Sequence, residues 1–158
     1  MSITQSMTNS FKVDILSGGM NFNTTNRALT ANTQDTFKIA LYYPAASASL
    51  DATTTAYTAT AEVSSSGTGY STGGNTLTVS QVPVSSGTPS TTAYINFANT
   101  SWGSTASFSA DGALIYNSSN SNKSVCVLNF GGTKTVTSGT FTIQFPTAGT
   151  GSSIIQIA

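Results

Sequence analysis

From Thr36 onward, apolar side chains recur at every second position. Phe37, Ile39, Leu41 and Tyr43 alternate with Lys38, Ala40 and Tyr42, and Pro44 closes the run, which is the period of a strand. Further segments carry the strand signature: Thr76 to Val82, Thr92 to Ala98, Ser101 to Phe108, Ala113 to Tyr116, Ser124 to Phe130, Gly139 to Phe145 and Ser152 to Ile157. Turn chemistry separates them at Gly73-Gly74-Asn75, Ser85-Ser86-Gly87, Asp111-Gly112, Asn117 to Asn122, Gly131-Gly132 and Gly149-Thr150-Gly151. Asp111-Gly112 is the strongest hairpin or bulge signal among them. Ahead of the strands, Phe11, Ile15 and Leu16 recur at helical spacing behind a cap at Asn9 or Ser10, and Ser17-Gly18-Gly19 stops the run. A short strand with Phe11, Val13 and Ile15 on one face is the competing assignment. Residues 20 to 35, rich in Asn and Thr, read as loop or irregular edge, while residues 53 to 63 mix Thr with Ala and fit strand or helix. About seven or eight short strands and one short N-terminal helix predict an all-β fold, an antiparallel β-sandwich of jelly-roll or Ig-like form. A single domain over 1–158 is expected, with 1–35 as the helix and an irregular segment packed on it.

Composition changes this picture mainly through charge. Only 6% of the 158 residues are Asp, Glu, Lys or Arg, against about 25% in an average soluble domain. Polarity comes instead from 25 Ser, 28 Thr and 12 Asn, and Thr, β-branched and polar at once, suits the solvent face of a strand. Lys12, Arg27, Lys38, Lys123 and Lys134 balance Asp14, Asp35, Asp51, Glu62 and Asp111, with no block of like sign. Nucleic-acid binding and anionic membranes both need clustered cations, so neither partner is expected. Zero net charge removes the self-repulsion that keeps monomers apart and favours life in an assembly. The opening Ser2 to Ser10 is polar rather than a basic and then apolar leader, so synthesis in the cytoplasm is expected. The one cysteine, Cys126, lies in the apolar alternation Val125-Cys126-Val127-Leu128 and reads as a small buried residue.

The sequence holds no histidine, which removes the usual Ser-His-Asp and Cys-His nucleophiles and the commonest metal ligand. Asp51, Glu62 and Asp111 are the carboxylates available for glycosidic cleavage or calcium, but they are far apart and form no ligand run. Gly18-Gly19, Gly73-Gly74 and Gly131-Gly132 lack the Gly-Lys-Ser/Thr ending of a phosphate loop. Asn23, Asn99, Asn117 and Asn122 match Asn-x-Ser/Thr by abundance alone. The expectation is no enzyme, with no catalytic, cofactor or metal residues. Sugar stacking could use Trp102, Tyr42, Tyr43, Tyr57, Tyr70, Tyr94 or Tyr116, but Trp102, Tyr94 and Tyr116 fit better in or near a core. Tyr70, between Gly69 and Ser71, is the candidate for an exposed aromatic. A strand edge over Ser152 to Ala158 could add to a neighbour's sheet, so Tyr70, Ile155 and Ile157 are the candidate interface residues.

Several stretches carry a resemblance. They are Met1-Ser2-Ile3-Thr4-Gln5-Ser6, Ser10-Phe11-Lys12, Thr36-Phe37-Lys38-Ile39-Ala40-Leu41-Tyr42, Leu50-Asp51-Ala52-Thr53-Thr54-Thr55-Ala56-Tyr57, Gly67-Thr68-Gly69-Tyr70, Gly112-Ala113-Leu114-Ile115-Tyr116-Asn117 and Gly139-Thr140-Phe141-Thr142-Ile143-Gln144-Phe145-Pro146. Together, over nearly the whole chain, the sequence resembles small proteins encoded in the structural gene blocks of tailed bacteriophages. The resemblance implies a virion component and transfers no catalytic or ligand residue. Members of that group have a longer, more charged helical stretch near Phe11, so Met20 to Asn26 reads here as an added polar insert. The expected role is a capsid decoration or cement protein binding the head lattice by shape and apolar contact. The alternatives are a tail, baseplate or collar subunit, or a host-surface glycan-binding module. The expected partners are the major capsid protein or another virion protein, and further copies of the chain as a trimer or dimer.

Overall fold

A computed structural model describes residues 2–23, 33–43, 49–87 and 90–158. In chain order the elements are β1 (Ser6–Met7), α1 (Asn9–Ser17), β2 (Phe37–Tyr42), β3 (Asn75–Leu77), β4 (Val79–Gly87), β5 (Ser90–Phe97), β6 (Thr100–Asn117), β7 (Lys123–Ile143) and β8 (Ile155–Ile157). They form two antiparallel sheets, one ordered β1-β7-β6-β2-β3 and the other β4-β5-β8. The chain is therefore mostly antiparallel β and sandwich-like, with one short helix.

The run from Phe37 to Tyr42 lies inside the larger sheet, between β6 and β3. Phe37, Ile39 and Leu41 share one core with Ile95, Phe97 and Ile155 of the smaller sheet. The alternate residues Ala40 and Tyr42 are buried too, in a second cluster with Leu50, Leu114, Tyr116 and Val127. The segment that includes Leu50, Tyr57 and Glu62 thus covers the far face of the sheet as a third layer. Residues 53–63 are neither strand nor helix but irregular chain tied down by single bridges, Ala56 to Lys123 and Glu62 to Tyr42.

Two pairs of predicted strands are fused. Ser101 to Phe108 and Ala113 to Tyr116 both lie in β6, and Ser124 to Phe130 joins most of Gly139 to Phe145 in β7. Asp111-Gly112 marks a bulge, because Ala110 faces Lys134 while Gly112 faces Asn129. Asp111 alone on β6 thereby lies opposite Phe130, Gly131, Gly132 and Thr133. The two glycines, at φ 69° and 135°, absorb this excess and bend the strand rather than reversing it. The reversal between β6 and β7 falls at 118–122 as predicted. The Asn117 side chain accepts the N–H groups of Ser119 (3.0 Å) and Asn120 (3.2 Å), and Ser121 and Asn122 take positive φ. Ser85-Ser86-Gly87 is likewise not a turn but the end of β4.

The helix is real, and its cap is Thr8, one residue before the expected pair. The Thr8 hydroxyl accepts the Phe11 N–H at 3.3 Å, and Gly18 ends the helix at φ 73°. Phe11 is buried, whereas Leu16 is 89% exposed, so Leu16 does not belong to the core stripe. The expected polar insert is in part core: Met20 and Phe22 are buried, and Phe22 stacks on Phe37 with ring centroids 4.4 Å apart. Pro44 and the Thr24 to Asn26 part of that insert lie outside the described residues.

Candidate functional site

The densest polar arrangement centres on Glu62, whose side chain is buried. Ala61, in the left-handed region at φ 62°, turns the chain so that Glu62 bridges to Tyr42 and the Val63 N–H reaches the Leu41 carbonyl at 2.9 Å. Tyr70 Oη donates to Glu62 Oε1 at 2.7 Å, the Gly73 N–H donates to the same oxygen at 2.6 Å, and Tyr57 Oη donates to Oε2 at 2.6 Å. Tyr70 Oη also accepts the Leu41 N–H (3.0 Å), Tyr42 Oη donates to the Thr58 carbonyl (2.7 Å) and Tyr116 Oη donates to the Gly73 carbonyl (2.8 Å). Tyr57 and Tyr116 stack at 4.8 Å. Burial raises the pKa of all four tyrosines, and the Glu62 carboxylate adds to the effect; Tyr116 is pushed up to about 12. The cluster is therefore a ring of protonated phenols around one carboxylate, with each donor already assigned within the fold.

Three of the other carboxylates are also engaged. Asp14, buried on α1, accepts from Lys123 Nζ at 2.6 Å. Asp35 Oδ2 accepts the Asn21 N–H (2.8 Å) and the amide of the buried Asn117 (2.7 Å). Asp51 is held below the usual carboxylate range by the Thr53 hydroxyl and then by the Thr53 N–H. Asp111 sits in the bulge, with one oxygen buried and unpartnered. The structure does not bring Asp51, Glu62 and Asp111 together, and among the described residues no three His, Cys, Asp or Glu side chains converge as a metal site would need. Cys126 is buried, and burial pushes its thiol up to about 12, which keeps it protonated and unreactive. The roles of Asp14 and Asn117 were missed because each depends on a partner far along the chain, Lys123 for one and Asp35 for the other.

The three candidate interface residues fare differently. Tyr70 is 3% exposed: it stacks on Trp102 at 5.8 Å and meets Phe108 edge-on, so its polar sequence neighbours misled. Ile155 is 4% exposed and belongs to the core, because its side of β8 faces the larger sheet. Ile157 is 49% exposed, on a strand at the edge of its sheet. Trp102 and Tyr116 are buried, as the core reading required.

An open surface lies elsewhere. β1 pairs with β7 only at Val127 and Cys126, so among the described residues no strand pairs with the outer edge of β7 beyond them. Five strands face three, and the half-buried side chains of β7 are left at the open side of the sandwich. A groove of about 480 Å³ results, lined by Leu128, Phe130, Phe141, Ile143, Phe145 and Ile154, with Lys134 at its margin. A second cavity, of about 320 Å³, lies between α1 and the smaller sheet, against Phe11, Ile15, Pro83, Tyr94 and Ile155. Comparison with protein-family models, curated proteins and solved structures finds no match to this chain.

Proposed function

We propose that this chain is a structural component of a tailed-phage particle, most specifically a decoration or cement protein on the head lattice. The observation that supports an assembly role is the free outer edge of β7 running beside an apolar groove. Such an edge offers a row of backbone donors and acceptors to a neighbour, and the groove adds apolar contact beside it. The phage setting rests on the resemblance of the sequence stretches quoted above. The engagement of Glu62, Asp14, Asp35 and Asp51 in the chain's own fold favours a structural role over a catalytic one. The glycan-binding alternative loses its leading residue, since Tyr70 is buried. Repetition on a lattice would let several modest contacts add up without any single tight one.

Quantitative mass spectrometry of purified particles, with heads and tails separated, tests the reading. Many copies that stay with the heads are expected. A handful of copies, or copies that follow the tails, would move the protein to a tail, baseplate or collar position.

A further inference from the structure

We infer that the occupant of the free β7 edge is an extended segment of another protein, added as a single strand beside Phe141 to Phe145. The inference rests on the assembly role just proposed and names the kind of partner. It is read on the purified chain, so it can fail while the head location holds, and the reverse.

The groove is lined by every residue from Phe141 to Pro146, not by alternate ones. A pocket against one face of a strand meets side chains two apart, so an unbroken run means that the groove follows the strand's edge. The direction of the backbone there follows from its partners. In an antiparallel ladder one residue turns both its N–H and its C=O to one side, and the next turns both to the other. The Phe145 N–H donates to Asn99 Oδ1, on the β6 side, at 2.8 Å. The register from Trp102 with Phe141 to Thr100 with Ile143 is unbroken, so Phe141 and Ile143 also face β6. Thr142 and Gln144 then turn their N–H and C=O groups outward. Both residues are exposed, and among the described residues no strand pairs with them.

Three features define the occupant. An outward row of backbone donors and acceptors is matched by another extended backbone. The regular edge is short: Ser138, at φ 46°, breaks the strand on one side, and the Pro146 carbonyl is taken by Asn96 on the other. The irregularity at Ser138 also switches the face that the strand presents, so a long partner strand would set apolar side chains against polar ones, which a short segment avoids. Phe141, Ile143 and Phe145 are half-buried at the margin of the core, so the segment carries apolar side chains at every second position. Lys134 is exposed, has no ion pair among the described residues and is the one charged residue lining the groove. The segment therefore carries a carboxylate at the end that reaches Lys134, where opposite charges attract.

Titration of the isotope-labelled full chain with the peptide acetyl-Asp-Val-Thr-Val-Thr-Val-Asp-amide, followed by nuclear magnetic resonance, tests this. The acid at each end serves either strand direction. Saturable binding is expected, with amide exchange at Thr142 and Gln144 slowed about tenfold or more. Thr142→Pro removes an outward N–H that β6 does not use, and an edge strand tolerates proline at such a position. That variant should fold as the wild type does by circular dichroism, yet bind about tenfold more weakly. Lys134→Glu should weaken the same peptide and prefer one with Lys in place of both Asp residues. Absence of saturable binding at millimolar peptide would overturn the inference. So would wild-type affinity in both variants, or protection confined to residues away from the β7 edge. A wild-type chain that dimerises with these two amides already protected would give the edge to a second copy instead.

Discussion

Burying a carboxylate costs several kcal/mol unless hydrogen bonds replace the lost water. At Glu62 the replacements are Tyr57, Tyr70 and the Gly73 N–H, so the side chain ties together the irregular chain on both sides of it, while its backbone bridges to Tyr42 of β2. Removing it should be costly because it leaves donors behind. Glu62→Leu orphans the Gly73 N–H and strips an acceptor from two phenols, at about 1 to 3 kcal/mol for each buried group that finds no new partner. A total loss of about 3 to 5 kcal/mol is expected in urea unfolding. Tyr70→Phe keeps the ring on Trp102 but deprives the Leu41 N–H of its acceptor, and about 2 kcal/mol is expected. Because the two side chains touch, the double variant should lose less than the sum of the singles. Strict additivity would mean that Glu62 and Tyr70 act separately, contrary to the 2.7 Å contact between them.

The long hairpin of β6 and β7 shows how an element depends on two backbone angles. Gly131 and Gly132 have open space where a Cβ would go, so substitution there tests conformation without a clash. Gly131, at φ 69°, lies where other residues go at modest cost, and Gly131→Ala should lose about 1 kcal/mol. Gly132, at φ 135°, lies in territory that is nearly glycine-only, and Gly132→Ala should lose about 2 to 3 kcal/mol. Equal losses in thermal unfolding would show that the bulge does not hold these angles. The same residues explain what could be read from the sequence. Alternation around Phe37, the stop at Gly18 and the turn at Asn117 to Asn122 are local signals, and they placed β2, α1 and the hairpin tip. Gly131-Gly132 looks the same in a turn and in a bulge, since both take positive φ, so β7 was divided in two; Asp111-Gly112 reads equally as a hairpin or as the bulge opposite that pair, so β6 was divided too. Burial of Tyr70 was invisible for another reason. Its neighbours Gly69 and Ser71 are polar loop residues, and its cover comes from Trp102 and Phe108 on a strand more than thirty positions away. The free edge of β7 was out of reach as well, because an edge is defined by pairing order, which no window of sequence contains.

Across the whole molecule, five cations and five anions leave little for salt to screen. Lys123 with Asp14 is the ion pair among the described residues, so stability should change by less than about 1 kcal/mol between low and moderate salt. A steep dependence in thermal unfolding would reveal charge coupling that these contacts lack. The pH response should be much sharper, and on the alkaline side. Tyr42, Tyr57, Tyr70 and Tyr116 all have pKa values raised above the ordinary 10.0, with burial the leading cause and the Glu62 carboxylate contributing to each. A raised pKa in the folded chain means that the unfolded chain releases its phenolic protons first. The contribution of these groups is complete below pH 10.0 and is lost as pH climbs toward the folded values, beginning with Tyr116 at about 12. The urea midpoint should therefore hold steady up to about pH 10 as far as these tyrosines are concerned, and then fall steeply over the next two units or so. Tyrosinate absorbance gives an independent reading of the same packing. At about pH 11 the folded chain should show well under the signal of the urea-unfolded chain, since four of the 6 tyrosines stay protonated while the fold survives. Equal absorbance in the two states, with the fold intact by circular dichroism, would mean that the phenols around Glu62 are not sealed as the structure has them.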